Sequence, residues 1–139
     1  MVLSMHDNRN KDRGRPRAFD TDAALDSAML VVRQKGYHAT PIGDLGRAMQ
    51  LTTGSLYKAF TDKQTLFATV FARYLSQRNG SLAALLAPCE NGREQLAALL
   101  NFYVDSVRDV ECERGCLVAV SAVELQTLDE GLAGAVSAA

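Results

Sequence analysis

Apolar residues recur every three or four positions from Leu25 to Leu128, and no segment alternates with a period of two. That spacing builds one buried stripe per helix and leaves no half-buried strand to pair, so the expected fold class is all-α. Glycine, proline and short polar residues divide the pattern. A first helix is expected from Asp20 or Thr21, either of which can cap it. Leu25, Met29 and Val32 form its stripe, widened by Ala24, Ala28 and Val31, and Gly36 ends it. A second is expected from Thr40-Pro41, with Thr40 as cap and Pro41 at the first helical position, to about Gln50. It carries Ile42, Leu45 and Met49. A third begins at Thr52 with Leu56 and Phe60 inward. Thr61-Asp62-Lys63-Gln64 has the capping-box pattern that opens a fourth, running to about Gln77 before a break at Asn79-Gly80. After a second break from Pro88 to Gly92, a strongly amphipathic helix is expected to Asp109, and a further apolar one from Leu117 to Leu128.

Charge separates the two halves. Residues 1–80 hold 12 Lys/Arg against 7 Asp/Glu, a net of +5, whereas residues 81–139 hold 3 against 9, a net of −6. A basic front half suits a polyanionic partner. Within it Arg9, Lys11, Arg13, Arg15 and Arg17 recur at alternate positions among Asn, Gly and Pro, with no apolar period. This is the composition of a flexible basic arm that lies along phosphates. No apolar run is long enough to span a membrane, and the first residues have no basic flank before an apolar stretch. With three cysteines, odd and few, a cytoplasmic setting is expected rather than a disulfide scaffold.

The segment from Thr40 to Lys63 holds two short helices about three residues apart, the second opening on Thr52, Thr53, Gly54 and Ser55. This is the layout of a helix-turn-helix. Hydroxyls at the start of a recognition helix can bond phosphates and base edges, a glycine lets backbone approach closely, and free N–H groups favour an anion. Leu45, Met49, Leu51, Leu56 and Phe60 would lock the pair from inside.

The run Gly36-Tyr37-His38-Ala39-Thr40, then Asp44-Leu45, then Leu51-Thr52-Thr53-Gly54-Ser55-Leu56-Tyr57-Lys58-Ala59-Phe60-Thr61-Asp62-Lys63 resembles the TetR/AcrR family of transcriptional regulators. The resemblance covers roughly residues 15–75. It implies that Thr53, Gly54 and Ser55, with Thr52 before them, approach bases and phosphates. It further implies that the Tyr57 hydroxyl and the Lys63 ammonium meet the DNA backbone, that Lys58 lies where a phosphate contact is available, and that Thr40 caps the second helix and also touches phosphate. Two positions depart from the pattern. Gln50 stands where the family often has glycine in the turn, which predicts a slightly different turn, and Ala59 stands where some members have a large polar side chain.

Three parts are expected: a basic arm over residues 1–14, a DNA-binding domain over 15–75, and a partial helical regulatory region over 76–139, with Arg13 in the arm and Arg15 and Arg17 just after it lying on the DNA backbone. Family members run further, through two helices that form the dimer, so those helices are expected to be missing beyond Ala139. The implied function is a repressor bound to a palindromic double-stranded operator and released by a small-molecule effector. Two other readings stand beside it: a truncated helical module that pairs with a full-length partner, and a thiol-based sensor using Cys112 and Cys116. Cys89 has no role in either. His6 and His38 lack neighbours for metal binding, His38 has no acid–base setting, and no glycine-rich phosphate loop occurs, so no enzyme activity, metal or cofactor is expected.

Overall fold

The computed structural model describes residues 20–106, 108 and 115–139, which form seven α-helices and one 3₁₀ turn. They are α1 (Thr21–Lys35), α2 (Ile42–Met49), α3 (Thr53–Ala59), α4 (Lys63–Leu86), α5 (Gly92–Ser106), α6 (Leu117–Val123) and α7 (Glu130–Ser137), with the 3₁₀ turn at Leu125–Thr127 between the last two. Residues 1–19, which include Arg13, Arg15 and Arg17, and residues 107 and 109–114, which include Cys112, lie outside the described residues.

The stripe on α1 is buried as its spacing predicts: Ala24, Leu25, Ala28, Met29 and Val32 all face inward. They meet Leu45 and Met49 of α2, Leu56 of α3, Phe60, and Leu66, Phe67, Val70 and Phe71 of α4. Leu117, Leu128, Leu132 and Val136 join the same core, so the C-terminal segments pack against the helices that precede them. Burial of each large side chain contributes about 2 kcal/mol. Asp20 caps α1 through hydrogen bonds from the Asp22 and Ala23 amides. Arg73 of α4 pairs with Asp22 and Asp26 of α1, bonding Asp26 through Nε at 2.7 Å and Nη2 at 2.9 Å. The Arg73 hydrogen bond holds the Asp26 carboxyl below its ordinary pKa against a smaller opposing effect of burial.

Four expected boundaries are corrected. Helix α4 does not stop at Asn79-Gly80 but continues to Leu86. Glycine in a helix costs about 1 kcal/mol, and α5 packs against the longer α4 that results. Its cap is Asp62, whose carboxylate accepts from the Thr65 amide at 2.7 Å, and not Thr61. A carboxylate at a helix N-terminus makes the stronger, charge-assisted bond. Helix α2 starts at Ile42 with Pro41 as its cap residue and no side-chain cap, because the Thr40 hydroxyl donates to the Gly36 carbonyl instead, at 2.6 Å. The stretch from Leu117 to Leu128 is not one helix. It breaks at Glu124, passes through the 3₁₀ turn, and is extended at Leu128 before Asp129 caps α7.

The turn between α2 and α3 corrects a fifth expectation. Gln50 adopts φ 56° and ψ 37°, the left-handed conformation that favours glycine, and is the positive-φ non-glycine residue among those described. Its amide donates to the Arg47 carbonyl at 3.2 Å and the Leu51 amide to the Gly46 carbonyl at 2.8 Å. These two bonds satisfy the last carbonyls of α2 and hold Gln50 where it is. Left-handed geometry costs a non-glycine residue about 1 kcal/mol. Gln50→Gly is therefore expected to raise the melting temperature by roughly 4 °C, measured by circular dichroism, with no change in helix content. An unchanged or lower midpoint would mean that the turn stores no strain.

Candidate nucleic-acid interface

Helix α3 is short, and it is amphipathic by virtue of two buried side chains: Leu56 within it and Phe60 just after it. Everything else on it faces out: Thr53, Gly54, Ser55, Tyr57, Lys58 and Ala59 are exposed. Thr52 is its cap. The Thr52 Oγ1 accepts from the Ser55 amide at 3.2 Å and donates to the Ser55 Oγ at 2.9 Å, so the two hydroxyls form one outward-facing polar pair. A methyl group added at Gly54 would meet nothing within 4 Å. No contact among the described residues thus accounts for the missing side chain, and the open space leaves the helix start accessible to a flat or grooved partner. Tyr57 is 47% exposed on the same helix.

Lys63, the first residue of α4, is set back from this surface. Its ammonium lies 4.5 Å from the centre of the Tyr37 ring. Burial pulls its pKa down, and the Glu124 carboxylate opposes that effect. Tyr37 in turn packs edge-on against Phe67. Thr40 is corrected outright as a contact residue. Its side chain is fully buried and its hydroxyl is spent on the Gly36 carbonyl, so it braces the α1–α2 corner and offers no group to a phosphate. Thr52, Thr53, Gly54, Ser55, Tyr57 and Lys58 therefore share one exposed surface, Lys63 borders it, and Thr40 lies beneath it.

Sequence reasoning missed the tie between this unit and the C-terminal segments. Glu124 sits where α6 gives way to the 3₁₀ turn, and its carboxylate accepts from the amides of Tyr37 at 2.7 Å and His38 at 3.1 Å. Gly36 precedes them at φ +76°, and a Cβ there would stand 2.9 Å from a Glu124 oxygen. The corner thus needs glycine twice over, for its backbone and for the close carboxylate. His38 Nε2 also lies 2.9 Å from the Thr127 hydroxyl. A second tie runs from α1, where Arg33 Nε donates to the Gly115 carbonyl at 2.9 Å. Local pattern could not reveal either contact, since the partners are more than 80 residues apart.

Behind these ties lies a cavity of about 440 Å³ between α1, α4, α5 and the start of α6. Met29, Arg33, Tyr74, Arg78, Phe102 and Tyr103 form much of its wall, with Cys116 at one side. The Tyr74 hydroxyl donates to Cys116 Sγ at 3.5 Å. Burial pushes the Tyr74 phenol up to about 12. At Cys116 burial acts upward. The Tyr74 hydrogen bond, the Ala119 and Val118 amides and the Arg78 charge outweigh it and hold the thiol below its ordinary pKa.

Residues 24–70, which contain most of α1, all of α2 and α3 and the start of α4, match the family model described as bacterial regulatory proteins, tetR family. The chain carries the helix-turn-helix domain of the TetR family. The HTH-type transcriptional repressor ComR of Escherichia coli (strain K12) is 48% identical over 67 residues, covering 48% of this chain and 32% of ComR. The HTH-type transcriptional regulator YezE of Bacillus subtilis (strain 168) is 29% identical over 120 residues, 86% of this chain and 62% of YezE. Among solved structures, a cysteine-substituted form of the TetR family transcriptional regulator CifR, complexed with 26-bp double-strand operator DNA, superposes with a TM-score of 0.73 at 36% identity. That match covers 87% of this chain and 65% of CifR. The chain thus spans between a third and two thirds of the length of these relatives. No helix among the described residues is long and apolar enough to cross a membrane.

The open space at Gly54 generates a direct test. Gly54→Ala is expected to leave the melting temperature unchanged or slightly higher, since alanine is worth up to about 1 kcal/mol over glycine in a helix. The same variant is expected to lose roughly 5-fold or more in affinity for duplex DNA, read by fluorescence anisotropy, because the methyl group holds backbone away from the groove. Full affinity in the variant would show that close backbone approach at Gly54 plays no part.

Proposed function

We propose that this protein is a sequence-specific DNA-binding transcriptional regulator of the repressor type, which a small molecule in the α1–α4–α5–α6 cavity releases from its operator. The observation that carries the first half is the exposed start of α3. Two hydroxyls, an unhindered glycine and a tyrosine project from it, while Leu56 and Phe60 anchor it to the core. Such a helix start enters the major groove, where side chains at its N-terminus reach base edges. ComR is named a repressor, and CifR was solved on operator DNA, which supports the same use of the domain here.

A single short helix-turn-helix reads few bases, so specific affinity calls for two half-sites on a palindromic operator and a second copy of the chain. On α5, Leu96 and Leu100 are each 57% exposed and Val104 lies beside them on the same face. That apolar surface is the kind an association buries. Release follows from the helices that the cavity and the DNA surface share. Helix α4 walls the cavity with Tyr74, Gln77 and Arg78 and begins at the DNA-binding unit with Lys63. A ligand that shifts α4 or α6 against α1 changes the separation of the two recognition helices, and DNA affinity falls with it.

The test is binding to a duplex from upstream of the protein's own gene against a shuffled duplex at physiological salt. Tyr57→Phe is expected to weaken both by roughly 10-fold or more, the worth of one hydrogen bond to a charged phosphate. Ser55→Ala or Thr53→Ala is expected to change the preference between operators carrying single base substitutions. Equal affinity of the unsubstituted protein for both duplexes would refute the specific-regulator reading.

A second reading, a thiol sensor, rests on Cys116. Its thiol lines the cavity with its pKa held down by Tyr74 and Arg78, which raises the fraction of reactive thiolate. Mild peroxide is expected to oxidise Cys116, detected by mass spectrometry, and to lower DNA affinity in parallel. An unmodified thiol with unchanged affinity removes this reading.

A further inference from the structure

We infer that Glu124 is a positioning residue: its carboxylate, on the Tyr37 and His38 amides, sets the angle at which α2 presents α3, and with it the affinity for DNA. This rests on the reading of α3 as the recognition helix. Glu124 lies at the junction of α6 and the 3₁₀ turn, 87 residues from Tyr37. Its two oxygens each take one of two successive amides, at 2.7 and 3.1 Å. Successive N–H groups at such a turn form a concave seat for an anion, and Gly36 at φ +76° opens it. The seat is filled from within the chain, by a carboxylate whose bonds are charge-assisted.

The seat belongs to the corner from which α2 departs. The Thr40 hydroxyl closes that corner on the Gly36 carbonyl at 2.6 Å. Just beyond it, the Asp44 and Leu45 amides bond the Pro41 carbonyl and start the helix. Thr127 adds a second hold from the 3₁₀ turn, its hydroxyl 2.9 Å from His38 Nε2. Helix α3 follows α2 through the Gln50 turn, whose two amide bonds pass the direction of one helix to the other. A rotation at the corner is therefore carried to Thr53, Gly54 and Ser55. The Tyr37 ring also has the Lys63 ammonium 4.5 Å from its centre, and the Glu124 charge acts on that ammonium. One carboxylate thus acts on the seat of the recognition helix and on the lysine that borders it.

Glu124→Gln separates positioning from plain charge. A primary amide has one acceptor oxygen, and its NH2 group would face a backbone N–H, so only one of the two bonds survives. Removing an anion near DNA would by itself tighten binding, because phosphates repel it. Positioning predicts the reverse. The affinity of E124Q for the upstream duplex, read by fluorescence anisotropy well below its melting midpoint, is expected to fall roughly 5-fold or more. Asp26→Asn, which weakens the charged pair with Arg73, is expected to leave affinity within about 2-fold. In the DNA-free chain, NMR of E124Q is expected to show faster amide exchange at Tyr37 and His38 and shifted amide resonances along α2 and α3. By reciprocity, the upstream duplex is expected to slow exchange of the same two amides in the unsubstituted chain by roughly 5-fold. That measurement needs no variant, so it decides the matter even where E124Q does not fold. Equal or tighter binding by E124Q, an equal loss in D26N, unmoved α2 and α3 resonances, or unslowed exchange in the DNA complex would each overturn the assignment. Resonances that move in E124Q, in a chain that holds no operator, refute the regulator reading and leave the positioning of α3 standing. A chain that holds its operator, with E124Q binding as well, refutes this inference alone.

Discussion

The seam between α1 and α4 is the contact on which the rest depends. Val32, Met29 and Leu25 of α1 meet Phe67, Val70 and Phe71 of α4, with the two phenyl rings stacked 6.3 Å apart. Arg73 fastens the rim of this seam to Asp22 and Asp26. On one side, α2 and α3 have little apolar surface of their own and are stable only because Leu45, Met49, Leu56 and Phe60 dock onto it. Isolated helices this short are marginal in water. On the other side, the same two helices extend to Arg33, Tyr74 and Arg78 and become the cavity wall. One packed surface thus carries both the exposed recognition helix and the cavity.

Two backbone positions outside the preferred region occur on either side of α2. Gly36 turns the chain from α1 toward α2 at positive φ, and Gln50 turns it from α2 into α3. Each is stabilised by bonds that no alternative conformation would reproduce. At Gly36 these are the Thr40 hydroxyl on its carbonyl and the Glu124 carboxylate on the next two amides. At Gln50 they are the amide bonds to Arg47 and Gly46. Helix α2 is therefore held at both ends, which fixes how α3 is presented. The Glu124 clamp makes that presentation depend on where α6 ends, and so links it to the segment that borders the cavity at Cys116.

Much of this was legible from the residues. The stripes on α1, α2 and α4, the Asp20 cap, the stop at Gly36 and the outward polar start of α3 all follow from spacing and residue type. Errors fell where two local signals competed. Thr61 and Asp62 both can cap, and the carboxylate won. Asn79-Gly80 has the residues of a break, yet the helix runs through it to Leu86, and one glycine costs a helix only about 1 kcal/mol. Thr40 has the residue type of a cap and of a phosphate ligand, and burial removed both roles by directing its hydroxyl inward.

What the sequence by itself determined is helices α1 to α3 and the start of α4, their inward faces and the chemistry exposed on α3, because each depends on interactions within a few residues of chain. Tertiary structure alone decided which long-range polar groups meet. The Glu124 carboxylate on the Tyr37 and His38 amides, Arg33 on Gly115, Tyr74 on Cys116 and Arg78 on Tyr103 join residues from 25 to 87 positions apart. No periodicity encodes such pairs. They arise because burying the apolar stripes fixes the helices relative to one another, and the polar groups then take the partners that the packing brings within reach.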